Sequence, residues 1–280
     1  LENPFSNLYN YIANKKVLTY SYNMCKKNNR NWVAGYDGIT INDIEQGSTS
    51  KFIYNLYTKL QSKTYEPSPL LKSSIPKTGN DYRNIYIPTL KDKVVQRAFT
   101  LILNPINEAI FHNCSYAFRP NRNINEAIQT LKNDLLKNKL HFIVKTDIKK
   151  CFTNLNKNLV LENLSFIEDK TFMSYIEKFM EHNIVNKSGN IVNKSKMIPQ
   201  GTVIAPLLSN IALHSLDSLW MNNYREENRL EMVRYADDLL YLMKYEDRNF
   251  LSVVDNMLNN LNLDRNKEKT KLINLRTGKP

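Results

Sequence analysis

Three carboxylates in this sequence stand where carboxylates are costly. Asp237 and Asp238 are adjacent, and apolar runs flank them: Met232-Val233-Arg234-Tyr235-Ala236 before and Leu239-Leu240-Tyr241-Leu242-Met243 after. A third, Asp147, ends the run Phe142-Ile143-Val144-Lys145-Thr146-Asp147. Like charges held next to apolar residues repel one another and lose hydration, so something must compensate. A divalent cation does so, and hard oxygen donors of this type suit magnesium, which keeps several waters and also binds substrate phosphates. The plainer reading is a solvated hairpin tip with two acids. Such a tip usually carries Gly or Asn for positive φ, and here the pair is tightly flanked by apolar residues.

The elements around these acids must bring them to one place. Residues 142–147 read as a buried strand that delivers Asp147 at its end, and residues 230–244 as two strands around Asp237-Asp238. Upstream, helical spacing runs from Phe5 to Lys27 and from Lys51 to Lys63, with a turn at Gly35-Tyr36-Asp37-Gly38 between them. Residues 69–90 read as extended, bracketed by prolines. Helices follow over 91–104 and 123–139, punctuated by Pro105 and Pro120. Helical stretches continue to about His182. A hairpin is signalled by Ile184-Val185 and Ile191-Val192 around Asn186-Lys187-Ser188-Gly189-Asn190. Pro199-Gln200-Gly201 opens a long helix through Trp220. A helix over 248–261 and a short strand over 272–275 complete the pattern. Helices and strands mix without regular alternation, which makes the class α+β.

Composition narrows the partners. The chain has 280 residues, enough for one large domain or two intimate subdomains. Apolar residues at 42% and charged residues at 24% suit a packed core and exclude a disordered tail or a coiled coil. Thirty-nine Lys and Arg against 27 Asp and Glu leave a net charge of +12, which points toward a polyanion. Three widely spaced cysteines suggest a reducing compartment with no disulfide framework. The four histidines lack metal-ligand spacing. No apolar run is long enough for a membrane span. The opening Leu1-Glu2-Asn3-Pro4 has neither Met nor a signal-peptide pattern, as expected of a piece cut from a longer chain.

With these residues in view, a family resemblance follows. Tyr235-Ala236-Asp237-Asp238 resembles the signature tetrapeptide of reverse transcriptases. Other blocks occur in the order found in the group II intron-encoded enzymes. Ile75-Pro76-Lys77, Tyr82-Arg83 and Ile87-Pro88 resemble their fingers strands, and Asp92-Lys93-Val94-Val95-Gln96-Arg97-Ala98 the next helix. Ser115-Tyr116-Ala117-Phe118-Arg119-Pro120 is similar to their Ser-Tyr-Gly-Phe-Arg-Pro block, and Asp147-Ile148-Lys149-Lys150-Cys151-Phe152 to the first catalytic block. Ile198-Pro199-Gln200-Gly201 through Ile211 and Lys267-Glu268-Lys269-Thr270 resemble the later palm blocks, and Gly35-Tyr36-Asp37-Gly38 the N-terminal extension. Ala117, Cys151, Thr153, Thr202 and Ala205 depart from the usual residues, while the metal ligands are untouched.

The resemblance implies right-hand polymerase fingers and palm, with a small antiparallel palm sheet packed on helices and the thumb absent. It implies an N-terminal extension over 1–68, fingers over 69–140 and a catalytic palm over 141–280, with fingers and palm interleaved. The implied activity is RNA-directed DNA synthesis by two-metal phosphoryl transfer, with Asp147, Asp237, Asp238 and the Ile148 carbonyl as metal ligands. Two Mg2+ ions, or Mn2+ in their place, are the implied cofactors. Lys77 and Arg83 would grip the triphosphate, Phe152 would exclude a 2′-hydroxyl, and Gln200 would line the pocket near the sugar. Lys269 would support the site electrostatically, with Arg119 and Tyr235 near primer or template. Implied partners are an RNA template, its own intron RNA included, a DNA or RNA primer and deoxynucleoside triphosphates, with no membrane. The location would be cytoplasmic in a bacterium and mitochondrial or plastid in an organelle. The alternatives are a non-catalytic RNA-binding maturase, which assists splicing, and a CRISPR- or defence-associated enzyme of the same lineage. A viral RNA replicase fits less well, since Ala236 and Phe152 stand where it usually has Gly and a small gate residue.

Overall fold

The computed structural model describes residues 5–27, 33–76, 82–224, 230–247 and 249–277. In chain order the first elements are α1 (Tyr9–Ile12), α2 (Lys15–Lys27), α3 (Ile41–Gln46) and α4 (Thr49–Gln61). Then come β1 (Leu70–Pro76), β2 (Tyr82–Ile87), α5 (Leu90–Glu108) and α6 (Ile124–Lys137). β3 (Phe142–Asp147), α7 (Cys151–Asn154), α8 (Lys157–Asn163), α9 (Lys170–Lys178), β4 (Glu181–Val185) and β5 (Ile191–Lys196) follow. The chain continues through α10 (Ala205–Asn223), β6 (Glu231–Tyr235), β7 (Asp238–Met243), α11 (Phe250–Asn259) and β8 (Lys271–Asn274). It divides into two compact units, residues 1–106 with 164–205, and residues 107–163 with 206–280.

The first unit holds the sheet β2-β1-β4-β5, antiparallel except for the β1–β4 pair. Its core is aromatic: the Phe99 ring lies 4.7 Å from Phe172 and 5.1 Å from Phe179. Local signals set its helix starts. Thr40 and Asp43 form a reciprocal capping box on α3, and the Ser48 hydroxyl accepts the Lys51 N–H at the start of α4. The helix expected over 5–27 is interrupted at Ala13-Asn14. The Asn14 side chain accepts the Lys16 N–H, a local bond that competes with continued helix and starts α2 anew.

Two further boundaries differ from the sequence expectation. The long helix begins at Ala205, not at Pro199, because Gly201 has a φ of +107°. A Cβ at Gly201 would lie 3.0 Å from the Tyr86 carbonyl oxygen, and the Tyr86 N–H donates to the Gln200 carbonyl at 2.8 Å. This close approach needs a conformation no right-handed helix contains. In the other direction, α5 runs through Pro105 to Glu108. Proline removes one helical hydrogen bond, but its fixed φ is helical, and only three residues follow it.

The second unit holds the antiparallel sheet β6-β7-β3-β8. Helices cover both of its faces, which explains the unbroken apolar run of β7. On one face Leu131 and Leu135 of α6 pack with Ile143, Leu240 and Leu242. On the other, the Tyr241 ring lies 5.0 Å from Trp220 of α10 and 5.3 Å from Phe250 of α11. Among the described residues, no helix is long and apolar enough to cross a membrane.

Candidate active site

The three carboxylates meet at one end of the second sheet. Asp147 ends β3 and pairs in register with Asp238, the first residue of β7. Tyr235 pairs with Asp238, so Ala236 and Asp237 form a two-residue hairpin tip. Ala236 takes a φ of +58°, a conformation that costs a residue with a Cβ about 1–2 kcal/mol. The Ile148 N–H donates to the Asp237 carbonyl at 3.1 Å, and the Asn266 N–H to the Asp147 carbonyl at 2.9 Å. The backbone that carries the acids is thus fixed from both sides.

Burial differs among the three. Asp147 is 8% exposed, Asp237 is half-buried and Asp238 is exposed. Burial pushes the Asp237 carboxyl above the usual range, and the charges of Asp238 and Asp147 push the same way. Lys269 reaches Asp147 from the short turn before β8, its Nζ 2.5 Å from Oδ2. That hydrogen bond raises the lysine above its ordinary value. The other oxygen of Asp147, Oδ1, is buried and has no hydrogen-bond partner. Four residues further on, the Cys151 thiol is pushed up to about 12, first by burial and then by the Asp237 charge, so it stays protonated and unreactive.

These features fit a hard divalent cation. A buried carboxylate oxygen without a donor and a second, desolvated carboxylate nearby both gain from a cation at this place. Among the described residues, no group of three or more His, Cys, Asp or Glu side chains forms a metal cage. Magnesium does not need one, since it is commonly bound through one or two carboxylates plus waters and substrate phosphates. Adding Mg2+ or Mn2+ should therefore raise the melting temperature of the wild-type chain, because a ligand that binds only the folded state stabilises it. The same addition should not move the melting temperature of Asp147→Asn. An equal rise in both proteins would show that the ion binds elsewhere.

The remaining expected residues are distributed as follows. Ile148 is buried and holds the hairpin tip as described. Phe152 is half-buried on α7, five residues after Asp147 in the chain. Tyr235 is half-buried and packs against the cluster of Tyr116, Ala127 and Val233. Arg83, exposed on β2, and Gln200, partly buried before Gly201, belong to the first unit. Lys77 lies outside the described residues. Arg119, expected near primer or template, is turned inward. Its Nε donates to both Glu108 carboxylate oxygens at 3.1 Å, and Nη1 to the His112 and Ser115 carbonyls. It braces the loop before α6, and its side chain is 2% exposed.

Arg234, Thr270 and Arg265 shape the site and have no role in the sequence pattern above. Arg234, on β6, is fully buried and bonds Asp217 and Asn210 of α10. Thr270 links β3 to the lysine turn: its hydroxyl lies 2.8 Å from that of Thr146, and Arg265, paired with Asp255, donates to it at 2.9 Å. The available signal was a charged or hydroxyl residue within an otherwise apolar strand, as at Arg234 and Thr146.

The family model described as reverse transcriptase (RNA-dependent DNA polymerase) matches residues 75–278. The chain belongs to the reverse transcriptase family. It is 30% identical over 217 residues to the COX1/OXI3 intron 2 protein of Saccharomyces cerevisiae, covering 77% of this chain and 25% of that protein. It is 30% identical over 224 residues to the group II intron-encoded protein LtrA of Lactococcus lactis, covering 78% of this chain and 35% of that protein. The chain thus spans about a quarter to a third of these relatives. A telomerase structure from Candida albicans superposes with a TM-score of 0.56 at 16% identity, over 77% of this chain and 43% of that one, a likeness of fold. The α+β class, with fingers and palm of a polymerase, is borne out.

Proposed function

We propose that this chain is an RNA-directed DNA polymerase of the group II intron type, adding deoxynucleotides to a primer 3′-hydroxyl on an RNA template. The observation that carries this reading is the meeting of Asp147, Asp237 and Asp238 at the ends of two paired strands, with one buried carboxylate oxygen left without a donor. Asp147 and Asp237 would hold the divalent ions, with Asp238 beside them. When bound, such ions supply Lewis-acid activation of the attacking hydroxyl and neutralise charge on the departing phosphate.

The chain's own residues do the rest. The sheet fixes both acid-bearing backbones, so little reorganisation is needed at reaction. Lys269 supplies a positive charge against Asp147 that restrains its carboxylate. Arg83 is proposed as a forked phosphate contact, Lys77 as a point charge on the same group, and Gln200 as a contact near the sugar. Phe152 is proposed as the wall against a 2′-hydroxyl, and Tyr235 as a contact to the primer. The excess of 39 basic over 27 acidic residues serves the RNA backbone. An intron RNA is the proposed native template, given the two relatives named for introns. Assistance to splicing is a second proposed role of the same surface.

Primer extension on a defined RNA template with Mg2+ tests this reading. Template-directed deoxynucleotide addition is expected, and RNA affinity should fall steeply with salt through counterion release. A folded chain that binds RNA yet adds nothing with Mg2+ or Mn2+ would leave the non-catalytic maturase reading in its place.

A further inference from the structure

Asp237 sits on a two-residue tip, and such tips are mobile unless their peptide groups are tied down. Both peptide groups next to the Asp237 Cα are tied here. The carbonyl on its C-terminal side accepts the Ile148 N–H at 3.1 Å. The carbonyl on its N-terminal side, that of Ala236, accepts from Arg234 Nη1 at 3.1 Å. The first anchor is ordinary backbone pairing at the end of a sheet. The second is a fully buried guanidinium, a costly group to place inside an apolar sheet.

Arg234 is itself held on three sides. Nε and Nη2 donate to the two carboxylate oxygens of Asp217 at 2.7 and 2.6 Å, a two-point fork that fixes the guanidinium plane. Nη1 also donates to Asn210 Oδ1 at 3.0 Å, and the Asn210 amide in turn donates to the Ala117 carbonyl at 2.8 Å. Asp217 and Asn210 both lie on α10, so the helix grips the hairpin tip through one side chain. The strained left-handed Ala236 lies between Arg234 and Asp237 and persists only where its surroundings hold it.

We infer that Arg234, locked by Asp217, is a positioning residue for catalysis: it orients the Ala236–Asp237 peptide and thereby aims the Asp237 carboxylate at the divalent ion. This inference rests on the polymerase reading above. A merely structural ion pair would add stability and leave the site's metal affinity and turnover unchanged.

Arg234→Lys separates the two. The lysine keeps a positive charge for Asp217, but one ammonium cannot make the fork and also reach the Ala236 carbonyl. Turnover should fall by about thirtyfold, with the deoxynucleotide KM within about twofold, as expected when an interaction of the transition state is lost. Mn2+ affinity, titrated on the protein alone, should weaken by about tenfold. RNA affinity should not change. A second variant guards against misfolding: Arg234→Met with Asp217→Leu. Replacing a buried ion pair by apolar residues of similar volume is often neutral or stabilising. The double variant should melt near the wild-type temperature and still show both defects. Wild-type turnover and Mn2+ affinity in either folded variant would overturn the inference. Extension by the wild type is the control for the underlying reading: if the wild type adds no nucleotide, that reading fails, and the Mn2+ titration judges Arg234 by itself.

Discussion

Asp147→Asn and Asp237→Asn should each reduce DNA synthesis by about a thousandfold or more, the rate equivalent of roughly 4 kcal/mol of lost transition-state stabilisation. Asparagine keeps the shape and one acceptor oxygen but removes the charge that attracts the ion. The two substitutions should differ in stability. Asp147 accepts from Lys269, so Asp147→Asn loses a charge-assisted bond. The solvent partly screens that loss, since the lysine side chain is 56% exposed. Asp237 is disfavoured as an anion by its burial and by both neighbouring acids. Without divalent ions, Asp237→Asn should therefore melt at or above the wild-type temperature while remaining inactive. Asp238, exposed at the strand start, should give a smaller loss of metal affinity on the same change. Near-wild-type extension by Asp147→Asn would remove the carboxylate from the chemistry. RNA binding by all three variants should match the wild type, because phosphate contacts come mainly from Lys and Arg.

What the sequence revealed follows physical range. β3 could be read to the residue, because a continuous apolar run ending in an acid is a local pattern. The β6–β7 hairpin was legible as two strands, but its tip is Ala236-Asp237 where the sequence suggested Asp237-Asp238. Asp238 already pairs with Tyr235 and Asp147, and the tip carries Ala236 in place of the Gly or Asn that a positive φ prefers. The start of α10 was not, because Gly201 takes its conformation from a contact with Tyr86, more than a hundred residues earlier. Arg234 was visible only as a charge in a strand. Its meaning depends on Asp217 and Asn210, which helical spacing marks as ordinary polar positions of α10. Arg119 shows the converse: its motif drew attention to it, yet Glu108 and two carbonyls occupy its guanidinium. Exposure, which separates a surface cation from an internal brace, is not encoded in local spacing.

Phe152→Ala should raise ribonucleotide use relative to deoxyribonucleotide use by about ten- to a hundredfold. An apolar wall rejects an added hydroxyl only modestly, on the order of a hundredfold, since it excludes the group by volume and by offering no hydrogen-bond partner. Removing the ring should recover most of that factor and no more. Deoxyribonucleotide addition should persist, because none of the three acids is touched. The competing account makes Phe152 a packing residue of the core. A fully buried phenylalanine cut to alanine costs about 3–5 kcal/mol. Phe152, however, is half-buried on a four-residue helix, while its neighbours Cys151 and Leu155 are the buried ones. Its truncation should therefore cost well under that figure, leaving a folded protein in which selectivity can be read. Single-nucleotide addition with matched ribo- and deoxyribonucleoside triphosphates, measured beside a melting curve, gives both quantities. A folded Phe152→Ala protein with the wild-type ratio would place the sugar wall on another residue. A changed ratio with a small shift in melting temperature would fix Phe152 at the nucleotide.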